Sequence, residues 1–215
     1  MEKIFTAGRL VIVGAGGFGR EVLDVVDAIN ASGGAIEFLG FLDDGPVNKD
    51  LLEVRGATLL GGSDRIGALD CAYVVGVVDP SVRRRIDGQF SAVRLPAAVL
   101  VHPSATVGSQ VTLGPGSIIC AQASITTNVA IGRHCHLNLH ATVGHDTTIG
   151  SYVTLMPGAN LSGSVVLGDD VTVGTGASVI QNLNIGAGSY VGAGAAVVRD
   201  VEAGTTVVGV PARPL

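Results

Sequence analysis

Tryptophan is absent from this 215-residue chain, and charged residues make up only 14% of it. So little charge beside 47% hydrophobic residues excludes a self-repelling disordered chain and leaves material for a sizeable core, enough for two domains. The three cysteines, Cys71, Cys120 and Cys135, are odd in number and lack paired metal-ligand spacing. Each reads as a small buried hydrophobe. No apolar run approaches a membrane span, and no charged segment followed by a cleavable apolar one opens the chain, so a reduced, cytoplasmic protein away from membranes is expected. A net charge of −5 and a pI of about 5.4 leave no broad basic surface for nucleic acid or anionic lipid. Small molecules are the expected partners.

Glycine, by contrast, is abundant, with 32 residues, and much of it is periodic. From Val101 to Val197 every sixth residue is Val, Ile or Leu, seventeen positions without a break. A period of six fits neither an amphipathic helix nor a half-buried strand, but it is the mark of a hexapeptide parallel β-helix. Three hexads make one triangular coil of eighteen residues, with one branched aliphatic pointing inward per face. The fifth slot is usually compact (Ala105, Ser117, Ala123, Ala141, Ala159), as a residue tucked beneath a corner must be. The second slot is often glycine (Gly108, Gly114, Gly132, Gly144, Gly150), which reads as a place where the backbone turns and a Cβ would clash.

The first hundred residues follow other rules. Arg9 to Val13 reads as a strand, Gly14-Ala15-Gly16-Gly17-Phe18-Gly19 as a glycine turn, and Arg20 to Ile29 as an amphipathic helix. Ile36 to Leu42 and Ala72 to Val78 are further strands, and Asp79-Pro80-Ser81 can start a helix over residues 82–90. This order predicts a small Rossmann-like parallel sheet (residues 1–100) before the β-helix (residues 101–215), with ligands at the carboxyl ends of its strands. Between strand and helix, the GxGxxG spacing offers backbone N–H groups to phosphate oxygens; a turn needed only for close helix packing would look the same. Asp43 and Asp44 end the second strand, where a carboxylate can accept from a ribose hydroxyl or a base N–H, or simply cap a solvated turn before Gly45-Pro46. An NAD-dependent oxidoreductase needs two mononucleotide-binding halves, and there is room for one. The change of period at Val101 further predicts that a fragment beginning near Leu100 folds and assembles alone.

Residues eighteen apart in the β-helix stack roughly 4.8 Å above one another. His145 and Asp146 occupy the third and fourth slots of the hexad that begins at Val143, on an outward corner, and Gly163 lies one coil above His145. An exposed imidazole beside a carboxylate and a glycine N–H form a candidate general base, orienting group and oxyanion donor. A solvated corner histidine is the plainer alternative, and a catalytically idle sugar-nucleotide-binding scaffold the plainer function. His134 and His136 are two apart and His140 lies on a later corner; without a helical HxxxH or paired cysteines no metal is expected. His102-Pro103 reads as a structural start to the first coil.

The hexads, the stretch Asn138-Leu139-His140-Ala141-Thr142-Val143-Gly144-His145-Asp146 with Ile149-Gly150, and the closing Gly209-Val210-Pro211-Ala212-Arg213 resemble the bacterial sugar acetyltransferases of the left-handed β-helix class. More narrowly, the Gly14 to Gly19 turn and Phe41-Leu42-Asp43-Asp44 resemble the branch that acetylates the 4-amino group of nucleotide-linked sugars, the bacillosamine and perosamine N-acetyltransferases, with sialic acid O-acetyltransferases as relatives. That resemblance implies a cytoplasmic homotrimer with active sites between neighbouring β-helices and acetyl-CoA as cosubstrate. It implies His145 as base, Asp146 as its acidic partner and the Gly163 amide on the acyl carbonyl. Contacts to the nucleotide sugar fall at Gly16, Gly17, Phe18, Asp43, Asp44 and Gly62, and contacts to acetyl-CoA at Thr154, Gly163, Thr175 and Ala193. Thr154 departs from the histidine some members carry there, and His136, one coil below, can reach the same space. GDP-perosamine is the first substrate expected, followed by UDP- or dTDP-linked 4-amino-6-deoxy sugars.

Overall fold

The computed structural model describes residues 4–92 and 94–215. Its N-terminal part is a four-stranded parallel sheet built from β1 (Ala7–Val13), β2 (Ala35–Leu42), β3 (Leu59–Gly61) and β4 (Ala72–Val75) in the order β3-β2-β1-β4. Because the chain first builds outward from β1 through β2 and β3 and then returns to the other side of β1, the strand order reverses between β1 and β4. A crevice opens there at the carboxyl ends. Helix α1 (Gly17–Ala31) buries Val22, Leu23, Val25, Val26 and Ile29 on one side, each worth about 1.5–3 kcal/mol. It stops at Ser32, where Gly33 takes a φ of +99° that a side chain would resist. Three short elements escape the periodicity: α2 (Lys49–Glu53), capped by Asn48, β3 itself and a 3-10 helix (Ser63–Ala68). Strand β4 ends earlier than expected, at Val75, because the carbonyls of Val77 and Val78 turn away to accept from Arg83 on helix α3 (Pro80–Ala92).

From Leu100 onward the chain is a left-handed parallel β-helix with three faces. The first face runs from Leu100–Val101 through His136–Leu137 and Thr154–Leu155 to Thr206–Val208, closed by the antiparallel Arg213–Pro214. Thr106–Val107 begins the second face and Val111–Leu113 the third. His136 pairs with Thr154 and Thr142 with Asn160, so partners are eighteen residues apart, as the hexads require. The periodic aliphatics and the fifth-slot residues form one continuous core. Its last inward positions are Val201 and Val207, which break the period: Ile185 bridges Val201 and Val191 pairs with Val207, sixteen residues on. The final coil is two residues short.

The division of labour among corner glycines differs from the expectation. A Cβ on Gly144 would come within 2.5 Å of the Ser162 backbone, and one on Gly132 within 2.7 Å of Gly150, so second-slot glycines are there for close approach between coils. The turn itself is made in the fourth slot. Gln110, Gln122, Asn128, His134, His140, Asp146 and Tyr152 all have φ between 51° and 61° there. Asn and Asp bear that left-handed backbone most readily, which is why amide and acid side chains recur at the corners.

Candidate functional site

The crevice beside β1 is a cleft of about 450 Å³ lined by Gly16, Gly17, Phe18, Asp43, Asp44, Val78 and Arg85, among others, all from the N-terminal part. Its glycines separate into two kinds. Gly14, with a φ of +102°, and Gly19 are demanded by packing: a Cβ on Gly14 would meet Val77 and Gly76 at 2.8–2.9 Å, and one on Gly19 would run into the Gly14 carbonyl. Gly16 and Gly17 are not, since no protein atom lies within 4 Å of where their Cβ atoms would be. Their bareness serves the cleft, where the first turn of α1 has neither a side-chain cap nor an acidic residue.

Both aspartates line this cleft, and both are already at work. Asp43 accepts from the Ala15 N–H at 2.7 Å and from the Gly45 N–H at 2.8 Å, so it pins the glycine turn to the end of β2. Asp44 accepts from the N–H and hydroxyl of Ser63 at 2.7 and 2.8 Å, and these bonds hold its carboxyl below its ordinary value. Each oxygen keeps a free lone pair for a ligand donor. Gly62 stands behind Asp44, where a Cβ would press on the carboxylates of Asp64 and Asp44 at 2.8 and 3.1 Å. It is not among the residues lining the cleft.

On the β-helix, His145 and Asp146 form a pair with Nδ1 and Oδ2 2.7 Å apart, both exposed to solvent. A carboxylate can only accept, so Nδ1 carries a proton, which in the neutral ring puts the lone pair on Nε2. Asn128, one coil below, donates to the other Asp146 oxygen at 2.6 Å, and these two hydrogen bonds keep Asp146 below its ordinary carboxyl value. The imidazole lies against Gly163, where a Cβ would be 2.6 Å from Cε1 and Nε2. Among the described residues the Gly163 N–H makes no hydrogen bond. Other third-slot amides share that freedom; only this one borders the imidazole.

Thr175 and Ala193 stack on the corner between the first and second faces, exposed, whereas His145 and Gly163 occupy the corner between the second and third. They flank the second face rather than meet. Thr154 requires a correction: instead of facing acetyl-CoA it is fully buried, accepting from Arg83 at 2.9 Å and donating to the Val78 carbonyl at 3.2 Å. His136 is equally buried, its ring 4.7 Å from that of Phe18, and burial chiefly, with the nearby Arg83 charge, depresses its basicity well below the ordinary histidine value. The outward side chains of the first face at Leu100, Ile118, His136 and Thr154 all lie beneath the N-terminal sheet and helices.

That seam holds what sequence reading missed. Arg83 is fully buried and donates to the carbonyls of His134, Val77, Val78 and Tyr152 besides Thr154, with burial lowering its pKa to about 10. Asp87 accepts from Tyr73 at 2.8 Å, Tyr152 at 2.6 Å and Arg133 at 2.8 Å, with His134 Nε2 at 3.0 Å. His134 thus faces a carboxylate while His136 faces a phenyl ring. The run Arg83-Arg84-Arg85 in an acidic chain was the available signal. Cys120 and Cys135 are buried, and their thiols are pushed up to about 12 by that burial. His102 takes the structural role expected, its Nδ1 accepting from the Ser104 N–H at 3.0 Å. Among the described residues no helix is long and apolar enough to cross a membrane.

Known proteins share this architecture. The PglD N-terminal domain family matches residues 9–89. No curated protein sequence matches the chain. Among solved structures, the acetyltransferase domain of PglB from Neisseria gonorrhoeae is 33% identical, with a TM-score of 0.85, covering 96% of this chain and 99% of that one; a second structure of that domain contains acetyl coenzyme A. WeeI from Acinetobacter baumannii is 30% identical, with a TM-score of 0.86, over 97% of this chain and 100% of that one. PerB from Caulobacter crescentus, solved with CoA and GDP-perosamine, is 29% identical with a TM-score of 0.86 over 97% of both chains. Variants of that perosamine N-acetyltransferase with a histidine changed to asparagine or alanine have also been solved with both molecules. With the gonococcal match running the length of both chains, and the stacked hexads and glycine cleft in place, this chain belongs to the sugar N-acetyltransferase family and is an acetyltransferase.

Proposed function

We propose that this enzyme transfers the acetyl group of acetyl-CoA to the 4-amino group of a nucleotide-linked sugar, GDP-perosamine first and a UDP- or dTDP-linked 4-amino-6-deoxy sugar next. The observation that carries the chemistry is the His145 imidazole, held at Nδ1 by Asp146 and lying with Nε2 over Gly163. His145 takes a proton from the sugar amine as the nitrogen attacks the thioester carbonyl, the Gly163 N–H stabilises the charge developing on the acyl oxygen, and CoA leaves as the thiolate. No metal and no covalent acyl-enzyme enter this scheme. The glycine cleft receives the nucleotide sugar, and the second face, flanked by His145, Thr175 and Ala193, receives acetyl-CoA. The relative solved with CoA and GDP-perosamine supports this pair of substrates. The same base would also serve O-acetylation, where a sugar hydroxyl stands in place of the amine.

Among the described residues the cleft is lined by residues 13–86, on the side of the β-helix covered by the N-terminal part, while His145 stands on the corner away from that side. One protomer does not bring the two together. A homotrimer, in which the cleft of one chain faces the His145 corner of the next, completes the site. The test is thiol release from acetyl-CoA across a panel of nucleotide 4-amino sugars, run on His145→Ala, on Gly17→Asp and on oligomers refolded from both. His145→Ala is expected to lose about a hundredfold to ten-thousandfold in kcat, and Asp146→Asn less. Gly17→Asp, whose new side chain has room, places a carboxylate where phosphate should lie. Mixed oligomers should recover activity that neither variant has, because some interfaces pair an intact cleft with an intact base. Failure to recover would overturn the shared site, and a near-normal kcat in His145→Ala would overturn the mechanism.

A further inference from the structure

Three consecutive arginines on α3 face three different environments. Arg83 is buried among carbonyl oxygens of both halves of the molecule. Arg84 pairs with Asp170 at 2.6 Å and Asp169 at 3.3 Å, and its guanidinium carbon lies 4.1 Å from the centre of the Tyr152 ring. These two fasten the helix to the β-helix. Arg85 is exposed and, among the described residues, makes neither a hydrogen bond nor an ion pair. It lines the glycine cleft, where among the described residues it is the one cationic residue. It also borders a neighbouring hollow of about 540 Å³ against Thr172 and Tyr190.

Sheet order fixes the layout of charge around the cleft. Asp43 and Asp44 stand at the end of β2, the bare Gly16 and Gly17 follow β1 in the middle, and Arg85 stands on the helix that follows β4. A phosphate group is repelled at the β2 end and attracted toward the uncapped amides of α1 and the free guanidinium. Arginine also differs from lysine in offering two parallel donors to one phosphate, which suits a diphosphate better than a single point charge would. A guanidinium with no protein partner, held beside a backbone stripped of side chains, is otherwise unexplained by packing.

We propose that Arg85 reads the diphosphate of the nucleotide-linked sugar, pairing with it above the backbone of Gly16 and Gly17 and so selecting a diphosphate-activated sugar over a free one. The inference rests on the reading of this cleft as the nucleotide-sugar site. Calorimetric titration of the full chain with GDP, UDP and dTDP and with the matching nucleosides, on wild type, Arg85→Gln and Arg85→Lys, tests it. For whichever diphosphate wild type binds, Arg85→Gln should weaken binding about tenfold to a hundredfold, leave the nucleoside unchanged, and Arg85→Lys should restore part of the loss. Arg85→Gln binding the diphosphate as tightly as wild type would overturn the proposal. Equal weakening of nucleoside and diphosphate would also overturn it, since Arg85 would then only balance the charge of Asp44. If wild type binds none of the three diphosphates, the cleft reading itself fails and Arg85 loses its role with it.

Discussion

Gly163 is a glycine because an imidazole occupies the space its Cβ would need. Gly163→Ala would press on a solvent-exposed, movable ring rather than on backbone, so the fold should stay intact while the proposed base is displaced. A displacement of about 1 Å costs on the order of a hundredfold in rate, and a drop of that size in kcat with an unchanged melting temperature is the expected result. An unchanged kcat would mean that the ring works from another position. That His145, Asp146 and Gly163 come together was legible from the sequence because a spacing of eighteen is a vertical contact in this fold. Thr154 was not. Its exposure depends on which face the N-terminal part covers, and no periodicity within the hexads encodes that. Arg83 was hidden for a related reason, since a cation on an amphipathic helix reads as solvated until a layer of carbonyl oxygens is found above it.

At the scale of one coil, two kinds of glycine bear different loads. Gly132→Ala would drive a methyl to 2.7 Å from the Gly150 backbone of the next coil, which cannot retreat without opening the sheet. It is expected to destabilise by about 1–3 kcal/mol, the range for overpacking a close contact. Gly176, with a φ of +65° and open space around it, is a fourth-slot residue like Asn128 and Asn182. Gly176→Asn should therefore be close to neutral, whereas Gly176→Ala should cost about 1–2 kcal/mol for the left-handed backbone. Denaturant titrations of the three variants check the ranking, and Gly132→Ala as stable as wild type would contradict the close-approach role. The periodic aliphatics made the hexads readable, but conformation is not written in hydrophobicity. The recurrence of Gly, Asn, Asp, Gln and His in the fourth slot was the hint of where the chain turns. In the N-terminal sheet α2 and β3 were missed because neither is long enough to show a period.

The two halves of the chain are joined by more than a linker, and this alters what a dissection can show. An isolated β-helix starting near Leu100 would uncover Leu100, Ile118 and His136 on its first face and leave the carbonyls of His134 and Tyr152 without Arg83. Such a fragment is expected to aggregate rather than assemble, contrary to the autonomy suggested by the clean change of period at Val101; light scattering of the purified fragment would decide it. Within the intact molecule, the polar heart of the seam is Asp87. Burial alone would raise its carboxyl, but the His134 contact, the hydroxyls of Tyr152 and Tyr73 and the Arg133 guanidinium outweigh that and hold it far below the ordinary carboxylate value. A carboxyl depressed on folding contributes stability that is complete above its unfolded pKa of about 3.9 and is lost as the pH falls through the lower folded value. Asp87→Asn, which leaves the donors of that cluster facing a neutral group, should cost about 3–5 kcal/mol at neutral pH. The gap between wild type and variant should stay constant from about pH 7 to pH 5 and narrow only below about pH 4, where the Asp87 carboxyl of the unfolded wild-type chain begins to take up its proton while the folded one does not. Urea denaturation across that range measures it. A gap that closes near pH 6 would mean that Asp87 is not the group fastening the N-terminal sheet to the β-helix.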